Sequence, residues 1–285
     1  YHEQASGLAA EAYGRFKKLG VCCVGSGPAA TNLSSAVMSA YCDSIPTFFI
    51  TGQVGMFHNK KNRKIRQRGF QEVDVKKHME PIAKYSVLVD KVENIRYELE
   101  KCLYLAVSGR PGPVVMDIPY NVQISYIDPK KLKKFTKPRL KKQNFNEPLK
   151  YILREIKKSS KPMVLLGGGV QSLKDNDLMI KFLNMLNLPV VTTWAATDIL
   201  YHKYPLNMGN IGSSGNKSAV EAVQECDLLL SFGCRFTTKV ITNEKTFAKK
   251  AKIIGFDIDK AELKEGLVKV DKQFNLDLKD FIPDF

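Results

Sequence analysis

Short unbroken apolar runs alternate with longer stretches of helical period along the whole chain. In the first half, a helical pattern over residues 2–17 leads into the apolar run 21–24, and a glycine-rich turn follows. A second helical stretch over 31–41 precedes the run 46–51. Further on, the pattern predicts a short helix near Val73, a strand at 86–89, a long amphipathic helix over 92–107 and a strand at 113–118. Apolar runs of about four to six residues, spaced by helical periods of about 10–15, mark parallel βαβ units. Strands of such a sheet are covered on both faces, so they lack polar alternation.

The second half repeats this rhythm. It predicts a strand at 162–166, a glycine turn at 167–169, a helix over 175–186, a strand at 189–193, a helix over 217–224 and strands at 228–232 and 252–257. Right-handed crossovers between parallel strands then require doubly wound sheets. The predicted fold class is α/β, with two doubly wound, mainly parallel-sheet domains: one over 1–128, a basic, proline-punctuated linker over 129–148, and a second over 149–285. A length of 285 residues accommodates two cores at about 150 residues each.

Charge and cysteine narrow the function classes. Lys and Arg total 44 against 29 Asp and Glu, a formal net charge of +15. Much of the excess lies in HNKKNRKIRQR at 58–68 and KKLKKFTKPRLKK at 130–142. Neither run interleaves aromatic side chains as a single-strand binder would, so both read as solvated loops rather than a nucleic-acid footprint. Cys22, Cys23, Cys42, Cys102, Cys226 and Cys234 contain no C-x-x-C pair and sit mostly in apolar stretches. That is the usage of a reducing compartment, and a cytoplasmic location is expected. No apolar run approaches the roughly 18 residues of a bilayer span, so no membrane partner is expected. The chain opens on Tyr1 without an initiator Met or a signal-peptide pattern and is expected to be part of a longer protein.

Candidate chemistry is concentrated in a few segments. His2-Glu3-Gln4 opens the first helix, where a carboxylate is either a partner for the helix dipole or a functional acid. Gly25-Ser26-Gly27-Pro28, running on to Asn32, follows a strand and opens a helix. Glycine there permits close backbone approach to a ligand, in any of many nucleotide or cofactor folds. Gly69-Phe70-Gln71-Glu72 follows the first basic run. Arg110 is bracketed by two glycines and two prolines in GRPGP, either as a turn entering a strand or as a stiffly aimed guanidinium.

Taken in order, HEQASGLAAEAYGRF (2–16), GSGPAATN (25–32), AYCDSIPTFFITGQV (40–54), GFQEVD (69–74) and GRPGPVVMDIP (109–119) resemble the acetolactate synthase branch of the thiamine diphosphate enzymes. KPMVLLGGGV, NMGNIGSSGN, DLLLSFGCRF and IIGFDID are similar to that family's central domain. The resemblance implies a thiamine diphosphate-binding fold for the first domain, here a pyrimidine-binding domain lacking its opening strand, and a Rossmann-like central domain. It implies an enzyme that decarboxylates a 2-oxo acid such as pyruvate and joins the fragment to a second carbonyl compound. A 2-oxo acid decarboxylase of the same superfamily and a non-catalytic nucleotide-binding module are the competing readings.

The same resemblance carries roles onto residues. Glu3 falls on the acid that hydrogen-bonds the aminopyrimidine nitrogen and so makes the cofactor its own base, with a pKa expected to be raised in a dry pocket. Gly27 and Pro28 pack along the pyrimidine, with Ala29 standing where Gly is common. Phe70 and Gln71 line the substrate channel. Gly167, Gly168, Gly169, Thr193 and Arg110 match positions that hold FAD in some members, although NIGSSGN differs from the hydrophobic loop of the flavin-bearing enzymes. Arg235 and Asp257 are further candidates for a nucleotide site. No protein ligand for a metal is expected within this chain: no Asp-Gly pair occurs in it, whereas the family binds Mg²⁺ and the diphosphate through a Gly-Asp-Gly signature in a third domain. A homodimer or homotetramer with its active site between subunits is implied, and the 285 residues alone are expected to be inactive.

Overall fold

The computed structural model describes residues 2–61, 63–139 and 143–285. Contacts divide the chain into two compact units, Tyr1–Leu140 and Lys141–Phe285. Among the described residues no helix is long and apolar enough to cross a membrane.

The first unit runs α1 (Glu3–Phe16), β1 (Gly20–Val24), α2 (Pro28–Asn32), α3 (Ser34–Cys42), β2 (Thr47–Gln53), α4 (Val75–Met79), β3 (Tyr85–Leu88), α5 (Ile95–Val107), β4 (Pro113–Pro119) and α6 (Tyr120–Gln123). Its strands form a parallel sheet in the order β1-β2-β4-β3. Successive side chains point to opposite faces, and both faces are apolar. Phe49 and Val115 join Ala10, Leu33, Val37 and Met79 on one side, while Phe48, Val114 and Met116 meet Cys102 and Ala106 of α5 on the other. The helix expected over 31–41 is two helices hinged at Leu33, and the first begins at Pro28, whose ring suits a first helical position because no amide is needed there.

The second unit runs α7 (Asn146–Lys158), β5 (Pro162–Leu166), α8 (Asn176–Leu186), β6 (Val190–Thr192), β7 (Asn207–Asn210), α9 (Lys217–Glu225), β8 (Leu228–Phe232), β9 (Lys252–Asp257), α10 (Lys260–Glu265), β10 (Lys272–Asn275) and α11 (Leu278–Asp284). The sheet is parallel, in the order β10-β9-β8-β5-β6-β7. The chain therefore winds outward from β5 in one direction and resumes from β8 in the other, which puts the topological switch between β5 and β8. Phe232, Phe256 and Phe274 stack across β8, β9 and β10 at 4.7 and 5.2 Å, with Phe281 of α11 closing the stack at 5.6 Å. Such cross-strand aromatic pairs add to the burial of their area.

The stretch 129–148 is packed more than a free linker would be. Phe135 lies edge-on to Tyr97 at 5.6 Å and beside Tyr104 at 5.5 Å, and its N–H donates to Glu100 Oε2. Arg96 Nη1 donates to Pro129 O. On the far side, Phe145 is buried against Phe281 within the second unit. Residues 140–142 of the second basic run lie outside the described residues.

Candidate active site

The carboxyl ends of β1 and β2 gather the first unit's candidates. Helix α1 precedes β1 and packs on it, so its first turn returns to the edge where β1 ends. His2 caps that turn, its Nδ1 accepting from the Gln4 N–H at 3.2 Å, and leaves Glu3 at the first helical position. Asn32, at the end of α2, donates from Nδ2 to Glu3 Oε2 at 3.0 Å. This hydrogen bond, followed by the backbone amide at the helix start, holds the half-exposed carboxyl below its ordinary range. The rise expected for Glu3 is thus not a property of this chain alone: Asn32 stabilises the ionised form, and a raised value needs burial from outside it.

Gly27 and Gln71 meet in the backbone. Gly27 adopts φ +60°, and a Cβ there would lie 2.3 Å from Gln71 O and 2.7 Å from Gln71 Cβ. Only glycine fits such a site, on conformation and on space. Gln71 is itself left-handed, at φ +58°. The turn after β1 and the segment following the basic run are thereby pressed together, with Pro28 opening α2 beside them and Phe70 81% exposed.

Glu72 explains how the segment holds this form. Its buried carboxylate accepts from Lys60 N–H at 2.7 Å through Oε1, and from Arg68 N–H at 2.8 Å and Gly69 N–H at 3.3 Å through Oε2. Burial pushes the group up, but the three amides outweigh it and hold the carboxyl below its usual range. Glu72→Gln keeps one acceptor oxygen and is expected to loosen the clasp. An unmet amide costs about 1–3 kcal/mol, so tryptic cleavage between Lys60 and Arg68 should accelerate roughly tenfold. Limited proteolysis read by mass spectrometry checks this, and an unchanged cleavage rate would deny Glu72 the role.

A second buried carboxylate lies on the sheet below. Asp117 of β4 is 1% exposed and sits opposite Thr51 of β2. Thr51 Oγ1 donates to its Oδ1 at 2.6 Å, and Gln53 Nε2 to its Oδ2 at 2.9 Å. Gln53 Nε2 also donates to Val73 O at 2.6 Å, and Gln53 Oε1 accepts from Val54 N–H at 2.9 Å. The network ties the sheet to the chain just beyond Glu72. Sequence reasoning assigned no role to Asn32, Glu72 or Asp117, although all three stand inside the quoted motifs.

Arg110 lies at the other end of this sheet, just before β4. Its Nε donates to Ser44 Oγ at 2.9 Å, and its carbonyl accepts from Lys84 Nζ at 2.7 Å. It is therefore separated from the set formed by Glu3, Gly27 and Gln71.

In the second unit the candidates stand on neighbouring strand ends. Gly167–Gly169 follows β5, Thr193 follows β6, Arg235 follows β8 and Asp257 ends β9. This is the edge at which open α/β sheets bind ligands, flanking the switch between β5 and β8. The glycines serve close packing: a Cβ on Gly167 would lie 2.2 Å from Gly233 O, and one on Gly169 2.8 Å from Gly233 Cα. Gly167 N–H donates to Phe232 O, Gly169 N–H to Gly233 O and Thr193 N–H to Leu166 O, each at 2.9 Å. These amides do not fit a phosphate cradle, because their hydrogens are already engaged. Gly168 is half-buried beside Ala195. Asp257 is nearly buried and its Oδ1 accepts from Asp259 N–H at 2.8 Å.

The chain thus folds as two parallel α/β units, the first gathering an acid, a left-handed glycine turn and an amide-bearing loop at one sheet edge. Residues 1–78 match the N-terminal TPP binding domain of thiamine pyrophosphate enzymes, and residues 149–284 match their central domain. The chain belongs to the thiamine pyrophosphate enzymes. It is 37% identical over 268 residues to a probable acetolactate synthase large subunit of Methanocaldococcus jannaschii, covering 92% of this chain and 44% of that protein. The acetolactate synthase large subunit of Corynebacterium glutamicum is 36% identical over 265 residues, covering 92% and 41%. The acetolactate synthase isozyme 2 large subunit of Escherichia coli is 36% identical over 263 residues, covering 92% and 46%. The chain spans less than half the length of these relatives.

Proposed function

We propose that this chain forms the pyrimidine-side and central part of an acetolactate synthase-like enzyme that decarboxylates a 2-oxo acid and ligates the remaining fragment to a second carbonyl compound. The observation that carries the reading is the Glu3–Asn32 pair at the sheet edge where Gly27 and Gln71 meet. Bound thiamine diphosphate would supply a carbon nucleophile and an electron sink. Glu3 is the group that would exchange a proton through its carboxyl oxygens, while Asn32 Nδ2 holds Oε2 in place. The Gly27 turn, lacking a side chain, would let backbone approach the ring plane closely, with Pro28 beside it. Phe70 would wall off water, and Gln71 would orient the substrate carboxylate or hydroxyl.

Several parts of the proposal lie beyond these residues. Mg²⁺ and the diphosphate grip would come from a further domain, contributed across a homodimer or homotetramer interface, and the 285 residues alone would give no turnover. A flavin in the second unit would be met by the side chains of Thr193, Arg235 and Asp257 at the strand ends, since the amides of Gly167, Gly169 and Thr193 are engaged. A cytoplasmic location rests on the cysteine usage described above.

The test is the full-length protein with thiamine diphosphate, Mg²⁺ and carboxyl-labelled pyruvate. Labelled carbon dioxide together with a carbon–carbon ligated product is the expected result. Free aldehyde alone would assign a decarboxylase, and no carbon dioxide would sink the reading.

A further inference from the structure

The basic run at 58–68 takes no part in the function derived so far, yet it leaves the same sheet edge as the candidate site. It begins beyond the end of β2 and returns directly into Gly69-Phe70-Gln71. Both of its feet, Lys60 N–H and Arg68 N–H, are fixed to the one Glu72 carboxylate. Lys60 Nζ turns inward to Arg66 O at 2.9 Å. Lys61, Arg63, Lys64, Arg66 and Arg68 are exposed, and among the described residues their side chains form no ion pair. Arg68 is three residues from Gln71, so their Cα atoms are roughly 11 Å apart at most. That upper bound is close to the screening length of about 10 Å in 0.1 M salt.

Two carboxylates also lie near this edge, and among the described residues only one of them is matched by a cation: Asp74 is paired with Lys77 Nζ at 3.5 Å. Glu3 is held in its ionised form by Asn32, and Asp74 caps α4 just past Glu72. A 2-oxo acid carries a carboxylate at neutral pH, and Glu3, whose hydrogen-bond partner Asn32 is neutral, would repel it. We infer that Lys61, Arg63, Lys64, Arg66 and Arg68 form an anion-capture surface that concentrates the carboxylate-bearing substrate at the Phe70–Gln71 rim. The inference rests on the proposed function and adds a residue set to it. Unpaired cations fixed beside a site raise the local concentration of an anionic ligand without touching the reacting atoms. The clasp at Glu72 keeps the charge at the rim. A polyanion surface is the less economical assignment, because the run returns straight into the segment that packs on Gly27.

The experiment uses the full-length protein and the double variant Lys61→Glu/Lys64→Glu. Both side chains are exposed and neither belongs to the proposed catalytic set. Steady-state kinetics with pyruvate are taken at about 0.01 M and about 1 M salt, where screening lengths are about 30 Å and about 3 Å. At low salt KM is expected to rise about tenfold with kcat unchanged, and the difference should close at high salt. An unchanged KM at low salt, or a kcat loss that persists at high salt, would overturn the inference while leaving the proposed function standing. Steeply salt-dependent binding of a random oligonucleotide, lost in the variant while KM stays the same, would reassign the surface to a polyanion. A wild-type protein that releases no carbon dioxide from pyruvate would remove the proposed function and this inference with it.

Discussion

Glu3→Gln in the full-length protein is expected to lower kcat by roughly 10²–10⁴, the range a positioned acid–base group contributes. The substitution is chosen because it leaves the surroundings in place. A glutamine Oε1 can still accept from Asn32 Nδ2, so the 3.0 Å contact between α1 and α2 survives in kind. The group stays at the first helical position, half-exposed, where no core packing depends on it. What disappears is the ability to exchange a proton with a ring nitrogen. Calorimetric titration with thiamine diphosphate should show binding retained to within about tenfold, since one charge-assisted hydrogen bond of about 1.5–3 kcal/mol is weakened rather than removed. Undiminished carbon dioxide release from the variant would end the assignment of Glu3. Loss of cofactor binding together with activity would make Glu3 an anchor instead of an acid.

How much of this is legible in the sequence depends on where each signal resides. The strands predicted at 162–166 and 228–232 coincide with β5 and β8, because central strands of a parallel sheet must be apolar on both faces. β7 and β10 carried no such signal: NMGN and KQFN are edge strands with mixed exposure. Helix α7 was obscured by the basic stretch before it, although Pro148, Ile152 and Glu155 line its buried face. At the site, Glu3, Gly27 and Gln71 were singled out from motifs, but the contacts between those motifs were not readable. Asn32 acts on a carboxylate 29 residues away, and Asp117 on side chains 64 and 66 residues away. Glu72 acts on backbone amides, which have no sequence identity. Spacing along a chain does not encode such pairings. The same limit applies to Gly167–Gly169: a glycine-rich turn after a strand suggests a phosphate site, but the amide partners that make it a packing element belong to β8 and the turn after it.

Asp117 supplies the other large effect, in stability rather than turnover. Its pKa is pushed up to about 6, chiefly by burial, against the hydrogen bonds from Thr51 and Gln53 and with the charge of Asp74 adding to the rise. In the unfolded chain an aspartate titrates near 3.9. Between these values the folded unit binds more protons than the unfolded one, so stability falls as pH rises through that window. The contribution is fully present below about pH 4 and lost above about pH 6. A shift of about two units corresponds to roughly 3 kcal/mol lost from the first unit on going from pH 4 to pH 7, in this group's share alone. Other carboxylates move the opposite way, among them Glu3, Glu72 and Glu100, so the group must be isolated by difference. Asp117→Asn is neutral at every pH, and its amide can still accept from Gln53 Nε2 while donating to Thr51 Oγ1. Native-state hydrogen exchange of the β2 and β4 amides, corrected for intrinsic exchange, gives the stability of this sheet at each pH. Relative to wild type, the variant is expected to gain roughly 3 kcal/mol between pH 4 and pH 7. A constant difference across that range would show that Asp117 carries its charge at no cost and that the Thr51–Gln53 network fully offsets its burial.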